Sequence, residues 1–132
     1  MSPDTAVPIL ERLIPGLAAV YVFGSAARGD ARADSDLDLA IVVDGPLAPG
    51  LREEARLAVE DGLGIDVDLV DLATASPILG REVLREGRRI AAFRPFIADL
   101  AEIRMMRDYE DLKERRRGIE ADIARRGRVL AA

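Results

Sequence analysis

Residues 20–43, VYVFGSAARGDARADSDLDLAIVV, hold two apolar runs on either side of a polar connection, and the reading of those runs decides the fold. Val20-Tyr21-Val22-Phe23 is β-branched and aromatic and stops at Gly24, which predicts a buried strand. Leu37 to Val43 predicts a second. Side chains alternate across a strand, so Leu37, Leu39, Ile41 and Val43 share one face while Asp36, Asp38, Ala40 and Val42 share the other. Two carboxylates then point the same way, and like charges held side by side are costly unless a proton or a cation lies between them. A divalent metal satisfies that requirement.

The connection supplies complementary chemistry. Gly24-Ser25 follows the first strand directly and Ala26-Ala27-Arg28 are good helix formers, so a short helix is expected with Ser25 near its start. Backbone N–H groups at a helix start suit phosphate. Gly24 permits close approach of backbone, and Arg28 adds a cation able to fork onto a phosphate. Paired acids beside an anion-binding turn are equipment for chemistry on a Mg²⁺-nucleotide.

Downstream, Ile65 to Val70 alternates acid with aliphatic and predicts a further strand, with Asp66, Asp68 and Val70 on one side. If it pairs beside the strand of Asp36 and Asp38, Asp68 completes a three-carboxylate cluster, with Asp66 the alternative one pleat away. Asp71 falls on the opposite face and reads as a turn residue. Between these strands, residues 49–61 read as an amphipathic helix ended by Gly62 and Gly64, so the order is βαβ-like. Residues 2–15 predict an opening helix stopped at Gly16, with Pro8 confined to its first turn. Ser76-Pro77 predicts another helix start, running to Gly87, and residues 88–92 an edge strand. From Arg94 a long helix is expected, with nothing to break it before Gly118 or Gly127. Ala98, Ala101, Met105, Tyr109, Leu112, Arg116, Ile119 and Ile123 form a seam along it, too long for one small core to cover. Part of that seam is expected to meet another chain, as a homo- or hetero-oligomer.

The composition narrows the chemistry. A chain of 132 residues with 49% apolar content is one domain, read here as a core over residues 1–92 with a helical extension over 93–132. There is no cysteine and no histidine, which excludes disulfides, zinc fingers, thiol nucleophiles and Ser-His-Asp catalysis. The formal net charge of -5 argues against direct nucleic-acid binding, which needs a basic surface. No apolar stretch has the length of a membrane span and no signal peptide is evident, so no membrane association and a cytoplasmic location are expected.

Gly24-Ser25, ten intervening residues and Asp36-Leu37-Asp38 match the GS-x10-DxD signature, so the chain resembles the polymerase-β-like nucleotidyltransferase superfamily. The wording FGSAARGDARADSDLDL is most similar to its minimal (MNT-type) members, often paired with a HEPN-domain protein. The resemblance implies an α/β (α+β) fold, a small mixed sheet with helices. It implies transfer of AMP from ATP to a hydroxyl with Mg²⁺, two ions, as cofactor. Asp36 and Asp38 would hold the metal, and Asp68, the family's third acid, would hold it or take the acceptor's proton. Gly24, Ser25 and Arg28 would bind the nucleotide's phosphates. Nothing in the chain is long enough to be an acceptor-binding domain, so the implied acceptor is a hydroxyl, a tyrosine, on a HEPN ribonuclease toxin that this chain neutralises. Two alternatives stand beside it: a non-catalytic protein that neutralises a partner by masking, and an enzyme modifying a small molecule of the aminoglycoside type.

Overall fold

A computed structural model describes residues 2–29 and 36–126. A single 3-10 turn, Pro3–Thr5, leads into α1 (Ala6–Leu13); the Ser2 hydroxyl accepts from the Asp4 N–H at 3.3 Å. There follow β1 (Leu17–Phe23), α2 (Gly24–Arg28), β2 (Leu37–Val43), α3 (Leu51–Leu63), β3 (Val67–Asp71), α4 (Pro77–Glu86), β4 (Arg88–Ala92) and α5 (Pro95–Arg126). Pro8 lies in the first turn of α1, where a missing N–H costs nothing.

The four strands form one mixed sheet in the order β3-β2-β1-β4. β1 runs antiparallel to both β2 and β4, whereas β2 and β3 are parallel. That difference follows from the connections, since parallel neighbours need a crossover and α3 provides it. α1 and α3 cover one face, burying Leu10, Ile14 and Val59 against Val20, Val22, Leu39, Ile41 and Leu69. α4 and α5 cover the other, where Val83, Ala98 and Met105 meet Tyr21, Phe23, Ala40 and Val42. The second layer is close-set because its contact residues are small. A Cβ at Gly80 of α4 would lie 3.2 Å from the Met105 Sδ of α5.

The outer edge of β3 is closed by side chains. Arg52 donates to the Leu69 carbonyl at 3.0 Å, Arg56 to the Val67 carbonyl at 3.4 Å, and the Glu60 carboxylate accepts from the Val67 N–H at 2.8 Å. Backbone groups at an edge otherwise invite another strand.

Several element starts differ from the sequence reading. β1 begins at Leu17, three residues before the β-branched run, because Leu17 pairs with Val43 and Ala19 with Val42 and Ala92, across an irregularity at Ala18, in a fully buried layer that overrides their weak strand preference. β3 begins at Val67, leaving Ile65 and Asp66 ahead of it; the Asp66 carbonyl accepts from the Leu37 N–H at 2.9 Å. α5 passes straight through Gly118, and Gly127 lies outside the described residues. The predicted seam divides: Ala98 and Met105 are buried and Ala101, Tyr109 and Leu112 half-buried, but Ile119 is 61% exposed. Arg116 is exposed as well.

Candidate functional site

The site is assembled where three strand ends meet the start of α2. β1 pairs antiparallel with β2, and its last residue, Phe23, stands opposite Asp38. Gly24 then turns the chain into α2 with a φ of +68°, a left-handed conformation that a side chain disfavours. The turn presses backbone against the acid. A Cβ at position 24 would sit 2.1 Å from the Asp38 Oδ2, so only glycine leaves room for that carboxylate. No side chain of the N-capping residue Phe23 bonds the first turn of α2, in which Ser25 lies.

On the other flank of β2, the parallel register sets Asp38 opposite Asp68. Val67 and Leu69 point into the layer under α1 and α3, so Asp68 faces the layer of α4 and α5, as Asp38 does. Asp36 lies one residue before β2 and is exposed. Asp66, the alternative third acid, precedes β3 and contributes its backbone carbonyl to Leu37. Asp71 ends β3, and its Oδ1 accepts from the Ala73 N–H at 3.0 Å, a turn role.

Asp38 carries the electrostatic load. Its carboxyl is pushed above the usual carboxylate range, first by burial, then by the charges of Asp68, Asp36 and Glu82, while Arg28 pulls the other way. Glu82 is a carboxylate the sequence reading passed over. With Glu86 it occupies one flank of α4 at i, i+4 spacing, and Glu86 Oε2 lies 3.3 Å from the Arg28 Nη1. The spacing is visible in the sequence. Which element that flank meets is decided by how α4 docks.

The donor set fits Mg²⁺ in chemistry, being hard carboxylate oxygens whose mutual repulsion a cation relieves. It is not a closed cage. Among the described residues, no group of three acids stands ready as an ion cage. Mg²⁺ suits such an open arrangement, because it keeps several waters and commonly takes one or two carboxylates together with substrate phosphates.

Comparison with known proteins gives one consistent result. Residues 7–93 match the family described as Polymerase beta, Nucleotidyltransferase. The chain is 28% identical over 123 residues to the protein adenylyltransferase MntA of Shewanella oneidensis, covering 93% of this chain and 88% of that one. A crystal structure of a toxin-antitoxin with AMP-PNP superposes with a TM-score of 0.80 at 28% identity, over 93% of this chain and 99% of the other. A tri-AMPylated Shewanella oneidensis HEPN toxin in complex with MNT antitoxin matches with a TM-score of 0.73 at 27% identity, over 92% and 94%.

Proposed function

This chain belongs to the polymerase-β nucleotidyltransferase family, and from that premise we propose that it transfers AMP from ATP to a tyrosine hydroxyl of a HEPN-type toxin, acting as the antitoxin in the cytoplasm. The observation that carries the reading is the pairing of Asp38 with Asp68 across parallel strands, directly beside the Gly24 turn that crowds the Asp38 carboxylate. Likeness to an adenylyltransferase and to antitoxin chains solved with a toxin and with AMP-PNP supports the choice of nucleotide and acceptor.

Asp36 and Asp38 would hold Mg²⁺, which when bound supplies positive charge to the triphosphate and to pyrophosphate as it leaves. Ser25 and the backbone at the start of α2 orient the β and γ phosphates. Arg28, tethered to Glu86, places a cation at the end of the same helix. A bond forms between the acceptor oxygen and the α phosphorus while the bond from that phosphorus to the bridging oxygen of pyrophosphate breaks. Asp68 accepts the proton the hydroxyl gives up, or positions the oxygen that loses it.

Incubating the chain with the HEPN-type protein of its own genome, ATP and Mg²⁺ tests this by mass spectrometry. The partner should gain the mass of one or more adenylyl groups. Asp68→Ala should abolish most of the transfer yet retain stabilisation by Mg²⁺ and a non-hydrolysable ATP analogue, because the acid acts on the acceptor in the transition state. Stoichiometric inhibition of the partner without added mass would replace this reading with masking.

A further inference from the structure

Glu86 stands where a helix least favours a carboxylate. It is the last residue of α4, at the end whose unpaired carbonyls make the helix negative, and a charge of that sign there is unfavourable. Arg85 beside it carries the sign that such an end prefers. The position of this helix end is fixed by close packing. Gly87 follows directly, and a Cβ there would lie 2.8 Å from the Val22 carbonyl oxygen and 3.1 Å from the Phe23 Cβ, so α4 finishes against the last residues of β1. Phe23 stands opposite Asp38, and Gly24 after it opens α2. Glu86 is thereby brought beside that short helix, where its Oε2 lies 3.3 Å from the Arg28 Nη1 across 58 positions of sequence. α2 is only 5 residues long and its N-capping residue makes no side-chain bond to it. A helix so short offers little rigidity of its own to an arginine near its end.

We infer that Glu86 is a positioning residue for Arg28: it holds the guanidinium at the edge of the nucleotide site, so that the triphosphate meets a cation whose place is already set. The inference rests on the function proposed above, in which Arg28 meets the nucleotide's phosphates. Arginine has one of the largest rotamer entropies of any side chain, and a partner on a firmly packed element removes much of that freedom before the ligand arrives. The contact to Glu86 is made through Nη1, and a guanidinium presents several N–H donors in a planar fork, so holding by Glu86 and binding a phosphate are not exclusive. Stability alone does not account for the pair. Its side chains are 46% and 39% exposed, which makes it a weak contributor to the fold, and the glutamate opposes the dipole of its own helix. Ordering of Arg28 is the consequence that remains.

The test measures binding of Mg²⁺ with AMP-PNP by isothermal titration calorimetry, so the readout is affinity and not turnover. The full chain is compared with Glu86→Ala, Glu86→Gln, Arg28→Gln and the double variant of Glu86→Ala with Arg28→Gln. Glu86→Ala should bind about threefold more weakly, the scale of an exposed pair, and the loss should shrink as salt is raised. Glu86→Gln should recover part of it, because the amide oxygen still accepts from Arg28. In the Arg28→Gln background, Glu86→Ala should have no further effect, since a residue that acts through another has nothing left to act on. The melting temperature of ligand-free Glu86→Ala should stay close to that of wild type, which controls for folding. Tighter binding by both Glu86→Ala and Glu86→Gln would make the carboxylate a charge that weakens the phosphate site, and would overturn the inference. Unchanged affinity in Glu86→Ala, or an equal loss with and without Arg28, overturns it as well, and each of these leaves adenylyl transfer standing. A wild-type chain that does not bind Mg²⁺ with AMP-PNP overturns the inference and the proposed function together.

Discussion

At the scale of single residues, the site turns on what surrounds the Asp38 carboxyl. Burial and the three neighbouring acids hold its folded-state pKa above the ordinary value. A carboxyl raised on folding stabilises the fold while it is protonated, below its ordinary pKa; that contribution is lost as pH rises through the raised value. In metal-free protein, Asp38→Asn should therefore raise the melting temperature at neutral pH and change it little at acid pH. Scanning calorimetry across that range measures this, and a variant melting below wild type at neutral pH would contradict the assigned cause. Mg²⁺ with nucleotide should stabilise wild type more as pH rises, since the ionised form is the ligand, and should leave the variant unmoved. The identity and spacing of Gly24, Ser25, Asp36 and Asp38 were readable from the sequence. The contact between position 24 and Asp38 was not, because it depends on how closely β1 and β2 pair at that end.

At the scale of elements, local chemistry governs a side-chain helix cap more reliably than it governs strand lengths. Ser76 caps α4 as its sequence implies, its hydroxyl accepting from the Leu79 N–H at 3.2 Å with Pro77 in the first turn. Ser76→Ala should cost about 1 kcal/mol, read as a lower urea midpoint at unchanged slope. Such a cap is a bond between near neighbours and needs no tertiary partner. β1 is the opposite case. Leu17-Ala18-Ala19 carries little strand preference, and only its ladder to β2 and β4 makes it strand. The closed edge of β3 is likewise a meeting of α3 side chains with a strand outside their own helix.

At the scale of the whole molecule, a polar latch joins the sheet to α5. The Tyr21 hydroxyl of β1 donates to the Glu102 carboxylate at 2.7 Å, and Arg89 of β4 pairs with both Glu102 and Asp99. Tyr21 is buried, and burial, then its bond to Glu102, holds the phenol well above its usual range, so it stays a donor at any physiological pH. Tyr21→Phe should cost about 1.5–3 kcal/mol in chemical denaturation, the scale of a hydrogen bond to a charged group. A wild-type denaturation midpoint would show that the latch adds nothing.

Sequence alone determined whatever short-range chemistry decides: the alternation of Leu37 to Val43, the glycine turn after Phe23, the serine cap of α4 and the absence of any histidine or cysteine. Tertiary structure decided which distant elements meet. Asp68 became the neighbour of Asp38 only because α3 returns β3 parallel to β2 in that register. Glu82 joined them only through the docking of α4. The period of α5 showed an apolar seam, and the part of it that the molecule covers is the part that meets Ala18, Ala19, Ala40 and Gly80, small residues that let the helix lie close. Backbone preference and capping act over a few residues, whereas burial is shared among segments far apart in the chain and is resolved only when they pack together.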